Sequence, residues 1–539
     1  MSARGARVRV GKEDSAGTSH GRLRPIVVGV GLVLGAALVA APMLLYPFGR
    51  DQAMFACGAD VLRRGGALYR DFWDVKPPGV YWLYWGSFAA FGRSMLAPRV
   101  MDFLFSLGTA GALVLIGRRL GSLWGGAAAG FAFLVRYTLG FDYWGSAQGD
   151  GLASLPLTLA VLVMLRAEHR RNWRWAALSG ALVGVAIAIK FTLGIVLVLP
   201  LAAIALSKGE ELAARLARLS GYVLGAGAVV GVAMAAIWRT GALGEMLEIM
   251  FSWNAHYAQI RASGSGVAAS QVARFWLGGT HVILPVIGAL ALVGLTDLAA
   301  RRREVRLWWV PAGWLALMLV QTVMQGKYFQ YHWLPALPPL GLLAGDGLAA
   351  LWRVTGARIG RTGGRRAAAA VGLAGLVALV AGGWIGQFRP EIARATGRMS
   401  AGAFAAGFRD RQDYSLSADL QVARFLDEHL ATGGCTFIWG FEPAVYFLAN
   451  RPPATRFISM QPLVTPWSPP EWRRELIADL DSRKPPYILA LHNDAMPWVT
   501  LRPGDSAQNL ADFPELTQLL ATDYRPYARI EDFDIWERG

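Results

Sequence analysis

The sequence predicts an all-α polytopic membrane protein with about eleven transmembrane helices, two juxtamembrane helices in its first outer loop and a small soluble α/β domain at the carboxy terminus. Three observations carry that prediction. Of 539 residues, 54% are hydrophobic and only 17% charged, with a mean hydropathy of +0.36. The apolar residues gather in repeated runs near the ~18 residues that cross a bilayer. The formal charge of +16 resides largely in short arginine patches between these runs, where positive-inside anchoring explains it without nucleic acid.

The elements follow in order. Residues 1–24 form a basic, polar tail, expected in the cytoplasm. The apolar run 25–46 exceeds a signal-peptide core and continues through a faint AAP cleavage match, so it reads as a retained first helix. Further spans are expected at 99–116, 123–140, 152–165, 175–190, 191–206, 221–238, 276–297, 308–324, 334–351 and 367–387. Residues 25–387 make the transmembrane catalytic domain, and 388–539 a domain polar enough to fold in water. In the latter, CTFIWGF and YILAL read as strands and ADLQVARFLDEHL as a helix. No internal repeat is visible.

The stretch ALYRDFWDVKPPGVYWLYW, residues 67–85, decides the topology. If 79–92 crossed the membrane, Arg118 and Arg119 and the patches Arg166–Arg174, Arg301–Arg306 and Arg353–Arg366 would all lie outside, against the positive-inside rule. As a helix it reaches only about 21 Å against a hydrocarbon core of roughly 30 Å. It therefore lies along the outer face, with Tyr81, Trp82, Tyr84 and Trp85 suited to the interface. AMFACGADVLRR reads as the first juxtamembrane helix and GVYWLYWGSFAAFG as the second. Other outer segments fall at 141–150, 239–275 and 326–333, and the carboxy-terminal domain shares their side.

Charges in or beside apolar spans are costly and mark functional candidates. Asp51 follows the first span; Asp71, Asp74 and Lys76 lie in the first outer loop; Asp150 opens the fourth span; Lys190 interrupts an apolar run; Lys327 and His332 flank Tyr328 and Tyr331. Tyr69 sits beside the loop's charges. Plainer roles stand next to these: Asp51 and Asp150 as helix caps, Asp71 as a solvated partner of Arg70 or Arg64, and His332 as a wet interfacial histidine. Lys190 is the hardest to dismiss, since an unpaired lysine in hydrocarbon costs about 2.5–3.5 kcal/mol. Two cysteines, Cys57 and Cys435, make neither a disulfide framework nor a zinc pattern, and their pairing stays open. Walker A, HExxH and dinucleotide fingerprints are absent, so an enzyme here works without a cytosolic nucleotide. Its acidic groups face outward at headgroup level, where the natural substrate is an isoprenoid phosphate carrying an activated group.

An acidic residue after the first helix is followed in order by GGALYRDFWDVKPPGVYWLYWGSFAAFG, AQGDGLASLPLTLAVL, GVAIAIKFTLGIVLVLP and YFQYHWLPALPPLGLLAG. Over about residues 25–350 this resembles the bacterial branch of the GT-C glycosyltransferases, relatives of protein O-mannosyltransferases and of lipid A aminoarabinose transferase. The resemblance implies two juxtamembrane helices in the first outer loop, a polyprenyl-phosphate-linked sugar donor and transfer to an acceptor glycan, lipid or protein outside the bacterial inner membrane. It assigns the catalytic acid of the first loop to Asp51, the second outer-loop acid to Asp150 and a carrier-phosphate ligand to Lys190. The family's acidic-Lys-Pro element corresponds loosely to Asp74, Lys76 and Pro77. Where relatives often carry Asp-Glu, this chain has Asp51-Gln52, and a divalent metal stays an open question.

The expected chemistry is a direct displacement with inversion at the anomeric carbon. Asp51 takes the acceptor proton while Lys190, Lys76 and Lys327 receive the departing phosphate. Tyr69, Asp74, Tyr328, Tyr331 and His332 complete the candidate site. The rivals are a transporter or flippase of lipid-linked sugars, which would hold paired charges at the bilayer midplane, and an oligosaccharide polymerase. Since no motif residue lies in 388–539, that region is expected to be accessory, with TFIWGFEPAVYFLANR facing the acceptor.

Overall fold

A computed structural model of the chain describes residues 37–207, 209–260, 283–302, 307–358, 363–410 and 414–539, with positions 35, 270 and 273. The tail 1–24, the opening parts of spans 25–46 and 276–297, and parts of the last two arginine patches lie outside the described residues. Each expected span falls mainly on helix where it is described. A 3-10 turn, Ala41–Leu45, leads to α1 (Arg50–Arg63) and α2 (Pro78–Phe91). There follow α3 (Leu96–Arg119), α4 (Leu123–Leu139), α5 (Gly149–Arg170) and α6 (Trp173–Ile189). The bundle continues with α7 (Phe191–Ala205), α8 (Leu212–Arg239), α9 (Ile283–Ala300), α10 (Val310–Gln325), α11 (Leu337–Arg358) and α12 (Gly363–Ala395).

Among the described residues, α3, α5, α8 and the segment Gln330–Val354 are long and apolar enough to cross a membrane by length and composition. Helices α6, α7, α10 and Leu284–Ala300 are apolar but shorter. Helix α12 runs unbroken past residue 388, where the sequence sets a domain boundary.

The outer loop is built by local rules. Gly49, in extended conformation, is the N-cap of α1, and its N–H donates to Gln52 Oε1 at 3.1 Å. Pro77 and Pro78 open α2, with Pro78 in the first turn where its missing N–H costs nothing. The 14 residues of α2 span about 21 Å, short of a bilayer core. Its tyrosines correct one expectation: Tyr81 and Tyr84 are fully buried, not interfacial. The Tyr81 hydroxyl donates to Asp74 Oδ2 at 2.6 Å, and that of Tyr84 to the Ala147 carbonyl at 2.8 Å. Burial is affordable for a tyrosine whose hydroxyl finds a partner. Gly79 meets the end of α6 so closely that a Cβ there would lie 2.5 Å from the Ala188 carbonyl oxygen.

The carboxy-terminal region carries α13 (Leu416–His429), α14 (Pro443–Ala449) and α15 (Pro470–Arg483) around a four-stranded sheet. Its strands β1 (Phe437–Trp439), β2 (Tyr487–Leu491), β3 (Tyr524–Ile530) and β4 (Phe533–Arg538) stand in the order β1-β2-β4-β3. Strands β1 and β2 run parallel, with Ile438 opposite Leu489, and the remaining pairs are antiparallel. All five residues of β2 are buried, as a continuous apolar run in a covered strand requires. The stretch TFIWGFEPAVYFLANR is mostly buried, and its aromatics do not form a surface patch. It packs on the first outer loop: Arg93 clamps Asp60 at 2.6 Å and stacks on Phe447 at 4.0 Å, while Cys57 Sγ donates to the Pro443 carbonyl at 3.3 Å. Cys57 and Cys435 are both free thiols.

The tight contact at Gly79 yields a matched test within one helix. Gly79→Ala drives a methyl into the α6 backbone and should lower the unfolding free energy in detergent by about 1–3 kcal/mol. Gly86→Ala, at a position with nothing within 4 Å, should leave stability unchanged or slightly raised. Equal melting temperatures for the two variants would show that α2 does not dock on α6.

Candidate active site

The predicted charges come from five separate segments and meet at one end of the bundle. Asp51 lies in the first turn of α1, Asp74 and Lys76 in the loop before α2, and Asp150 in the first turn of α5. Lys190 terminates α6, and Lys327 sits between α10 and the 3-10 turn Gln330–Ala336. The chain breaks at Lys190, whose backbone is extended at φ −153°, ψ 106°. That break turns its side chain toward α5, and Nζ lies 2.5 Å from Asp150 Oδ1. Asp150 is therefore a buried ion-pair partner, and its carboxylate makes no helix-cap bond.

Asp51 is half-buried and does not cap α1, since Gly49 and Gln52 do that. Its Oδ2 accepts from Gln148 Nε2 at 3.0 Å, and the Tyr331 hydroxyl is turned toward the same carboxylate. Gln52 Nε2 donates to the carbonyls of Trp144 and Ser146 at 2.9 and 2.7 Å. With both ends of its amide on the backbone, Gln52 offers no ligand to a metal. A glutamate could not make those two donations.

Lys76 stands among the carboxylates of Asp51, Asp74 and Asp150. Burial works against its charge, but the three acids prevail and hold its pKa above the ordinary lysine value. Its ammonium lies 5.8 Å from the Tyr331 ring. Burial raises the Asp74 carboxyl against the opposing pull of Lys76 and the Tyr81 hydroxyl. Lys327 has no carboxylate beside it among the described residues; Nζ donates to the Trp498 carbonyl at 3.2 Å and lies 4.2 Å from the Tyr257 ring. Burial lowers its pKa to about 8. His332 is buried and lies in the field of all three lysines, its ring 4.8 Å from that of Tyr331.

Two predicted residues serve differently. Tyr69 is fully buried in a left-handed conformation, φ 70°, and its hydroxyl donates to the Lys76 carbonyl at 2.9 Å. It braces the lysine's backbone and does not face the carboxylates' open side. Tyr328, also left-handed at φ 53°, packs near Trp333 with ring centroids 6.4 Å apart.

Four residues escaped sequence reasoning. Gln148 orients Asp51, and Tyr257 supplies an aromatic face to Lys327. Buried Arg99 donates to the carbonyls of Tyr46, Tyr143 and Ser146 at 3.3, 3.1 and 2.7 Å, tying the end of the first span to the loop that holds Gln148. Glu442 bonds Arg50, the neighbour of Asp51, across 3.1 Å with both side chains buried. A buried arginine at the head of a span was the one signal available, at Arg99.

Residues 75–238 match the family described as dolichyl-phosphate-mannose-protein mannosyltransferase. The crystal structure of ArnT from Cupriavidus metallidurans bound to undecaprenyl phosphate superposes with a TM-score of 0.60 at 17% identity, covering 96% of this chain and 98% of that one. The same protein in the apo state gives 0.60 at 15% identity and the same coverage. A search of curated protein sequences returned no match. At such identities the likeness shows the fold, so the chain shares the GT-C fold of ArnT, and the family match runs across the charged loop and Lys190.

Proposed function

We propose that the protein moves a hexosyl or pentosyl group from a polyprenyl-phosphate donor to an acceptor hydroxyl at the outer face of a bacterial inner membrane. In this reading about eleven helices span the bilayer, the amino terminus is cytoplasmic, and residues 388–539 form an extracytoplasmic domain. The observation that carries it is the meeting of Asp51 with three lysines and two further carboxylates around Tyr331 and His332. The match to a mannosyltransferase family and the likeness to ArnT, whose structure holds undecaprenyl phosphate, support the choice of donor.

The chemistry is one displacement. Asp51 accepts the proton of the acceptor hydroxyl as its oxygen bonds to the anomeric carbon. The bond from that carbon to the phosphate oxygen breaks, and the charge left on the carrier phosphate is received by Lys76, Lys190 and Lys327. Asp150 aims Lys190 while leaving its remaining protons for phosphate. The position of the charges at helix ends and connecting loops, at one end of the bundle, favours an enzyme at a membrane face over a transporter with midplane charges.

Two outcomes test the reading. Asp51→Asn keeps size and can still accept from Gln148, but it removes the base. Transfer by the purified variant should fall at least about a hundredfold while donor lipid still binds. Near-normal transfer would reject Asp51 as the base and leave Asp74 or Asp150 to replace it.

The second concerns Lys327, charged below its pKa of about 8 and neutral above it. Its hold on phosphate is present at neutral pH and lost as pH rises through that value. Donor binding by the parent protein should weaken about fivefold to tenfold between roughly pH 7 and pH 9. Lys327→Arg, ionised throughout, should flatten that profile. A parent profile that is already flat would remove Lys327 from the phosphate site.

A further inference from the structure

A cavity of about 450 Å³ lies between the far end of α1 and the carboxy-terminal region, remote from the charges described above. Its volume is in the range of ligand pockets, about 300–1,000 Å³. Five arginines and four acidic residues line it, and their pairing is uneven. Arg70 bonds Asp71 at 2.9 Å, Arg451 bonds Asp427 at 2.9 Å, and Arg456 bonds Glu475 at 2.6 Å. Asp60 is held by Arg93 at 2.6 Å. Among the described residues that leaves two guanidiniums and one carboxylate of the lining without an ion pair. Arg64 reaches only the neutral Asn450, at 3.1 Å to its side-chain oxygen. Among the described residues, Arg483 and Asp479 have no charged partner within salt-bridge distance.

We infer that this cavity binds an acidic saccharide, with Arg64 and Arg483 on its carboxylate or phosphate and Asp479 on its hydroxyls. Forked guanidiniums match a two-oxygen anion. A carboxylate beside them would repel a bare anion, yet it accepts hydrogen bonds from sugar hydroxyls. Along α1 the lining runs from Cys57 to Arg64, about 9 to 20 Å from Asp51 at 1.5 Å per residue, and with Arg64 at the far end an anion held there does not react there. It fits a segment of the acceptor beyond the hydroxyl that is glycosylated, an assignment that rests on the transferase reading above.

The cavity wall is also fastened to the site. Arg456 Nη1 donates to the Tyr69 carbonyl at 3.0 Å, the Trp73 N–H donates to the Arg456 carbonyl at 3.0 Å, and Tyr69 holds Lys76. A ligand gripping this wall therefore presses on the loop that carries Lys76.

The test is calorimetric binding of glucuronate, glucose 6-phosphate, glucose and inorganic phosphate to the full chain in nanodiscs. The two acidic sugars should bind, each more tightly than glucose or phosphate alone. Arg64→Gln/Arg483→Gln should weaken that binding about tenfold or more, and excess undecaprenyl phosphate should not compete with it, which separates this cavity from the donor site. Asp479→Asn should weaken the acidic sugars but not phosphate. Arg483→Gln alone removes an exposed side chain that makes no ion pair or hydrogen bond among the described residues, so its loss of affinity is not a folding defect. No binding of either acidic sugar, or equal affinity in the double variant, would overturn the inference. Phosphate binding as tightly as glucose 6-phosphate would reject the saccharide. Because binding is read without turnover, failure of the transferase reading would show separately, in the Asp51→Asn assay.

Discussion

The 2.5 Å contact between Lys190 and Asp150 governs how the bundle end is arranged. A lysine inside an apolar run is tolerable only with a partner at its own depth, so the end of α6 and the beginning of α5 have to meet at one level. The helix break at Lys190 follows, because a continued helix would carry the ammonium away from α5. With the end of α6 fixed, Gly79 finds a backbone surface to dock on, and the loop bearing Asp74 and Lys76 is drawn over the same spot. One ion pair thus registers two helices and a loop.

The result is a set of three carboxylates and three lysines in a space from which most water is excluded. Such a set is close to neutral in total, which keeps burial tolerable, while its charges are kept apart by individual hydrogen bonds. Asp74 is held by Tyr81 and the Val75 N–H, and Asp51 by Gln148. An incoming phosphate meets Lys190 and Lys327 with one N–H each already directed, to Asp150 and to the Trp498 carbonyl, so less reorganisation remains for the moment of reaction.

Much of this was legible in the sequence because it is local or because it is costly. The spans follow from hydropathy, the shortness of α2 from counting residues, and Lys190 from the price of a charge among AIAIKFTLGIV. Asp51, Lys76 and Asp150 entered through motif order. What was not legible joins distant parts of the chain: Gln148 to Asp51 across 97 positions, and Arg50 to Glu442 across 392. Neither pair leaves a periodic trace. Tyr81 and Tyr84 misled for a related reason. A tyrosine at an interface and one in a core have the same local pattern, and only the partner of the hydroxyl tells them apart. The aromatics of TFIWGFEPAVYFLANR are buried because α14 packs on α1, a contact that no property of either helix announces.

The Arg50–Glu442 pair has a consequence for biogenesis. The residue next to Asp51 meets Glu442, one of its partners, only after 392 further positions have been made and the carboxy-terminal region has reached the same side as α1. At about 5–20 residues per second, that is an interval of roughly 20–80 seconds of synthesis. Through that interval the first outer loop exists without the wall that shapes it. A nascent or prematurely ended chain therefore carries the whole set of lysines and carboxylates in its membrane part, yet lacks the contact that sets the first turn of α1. The surroundings of Asp51 are in this way completed only once Glu442 has been made and has folded against α1.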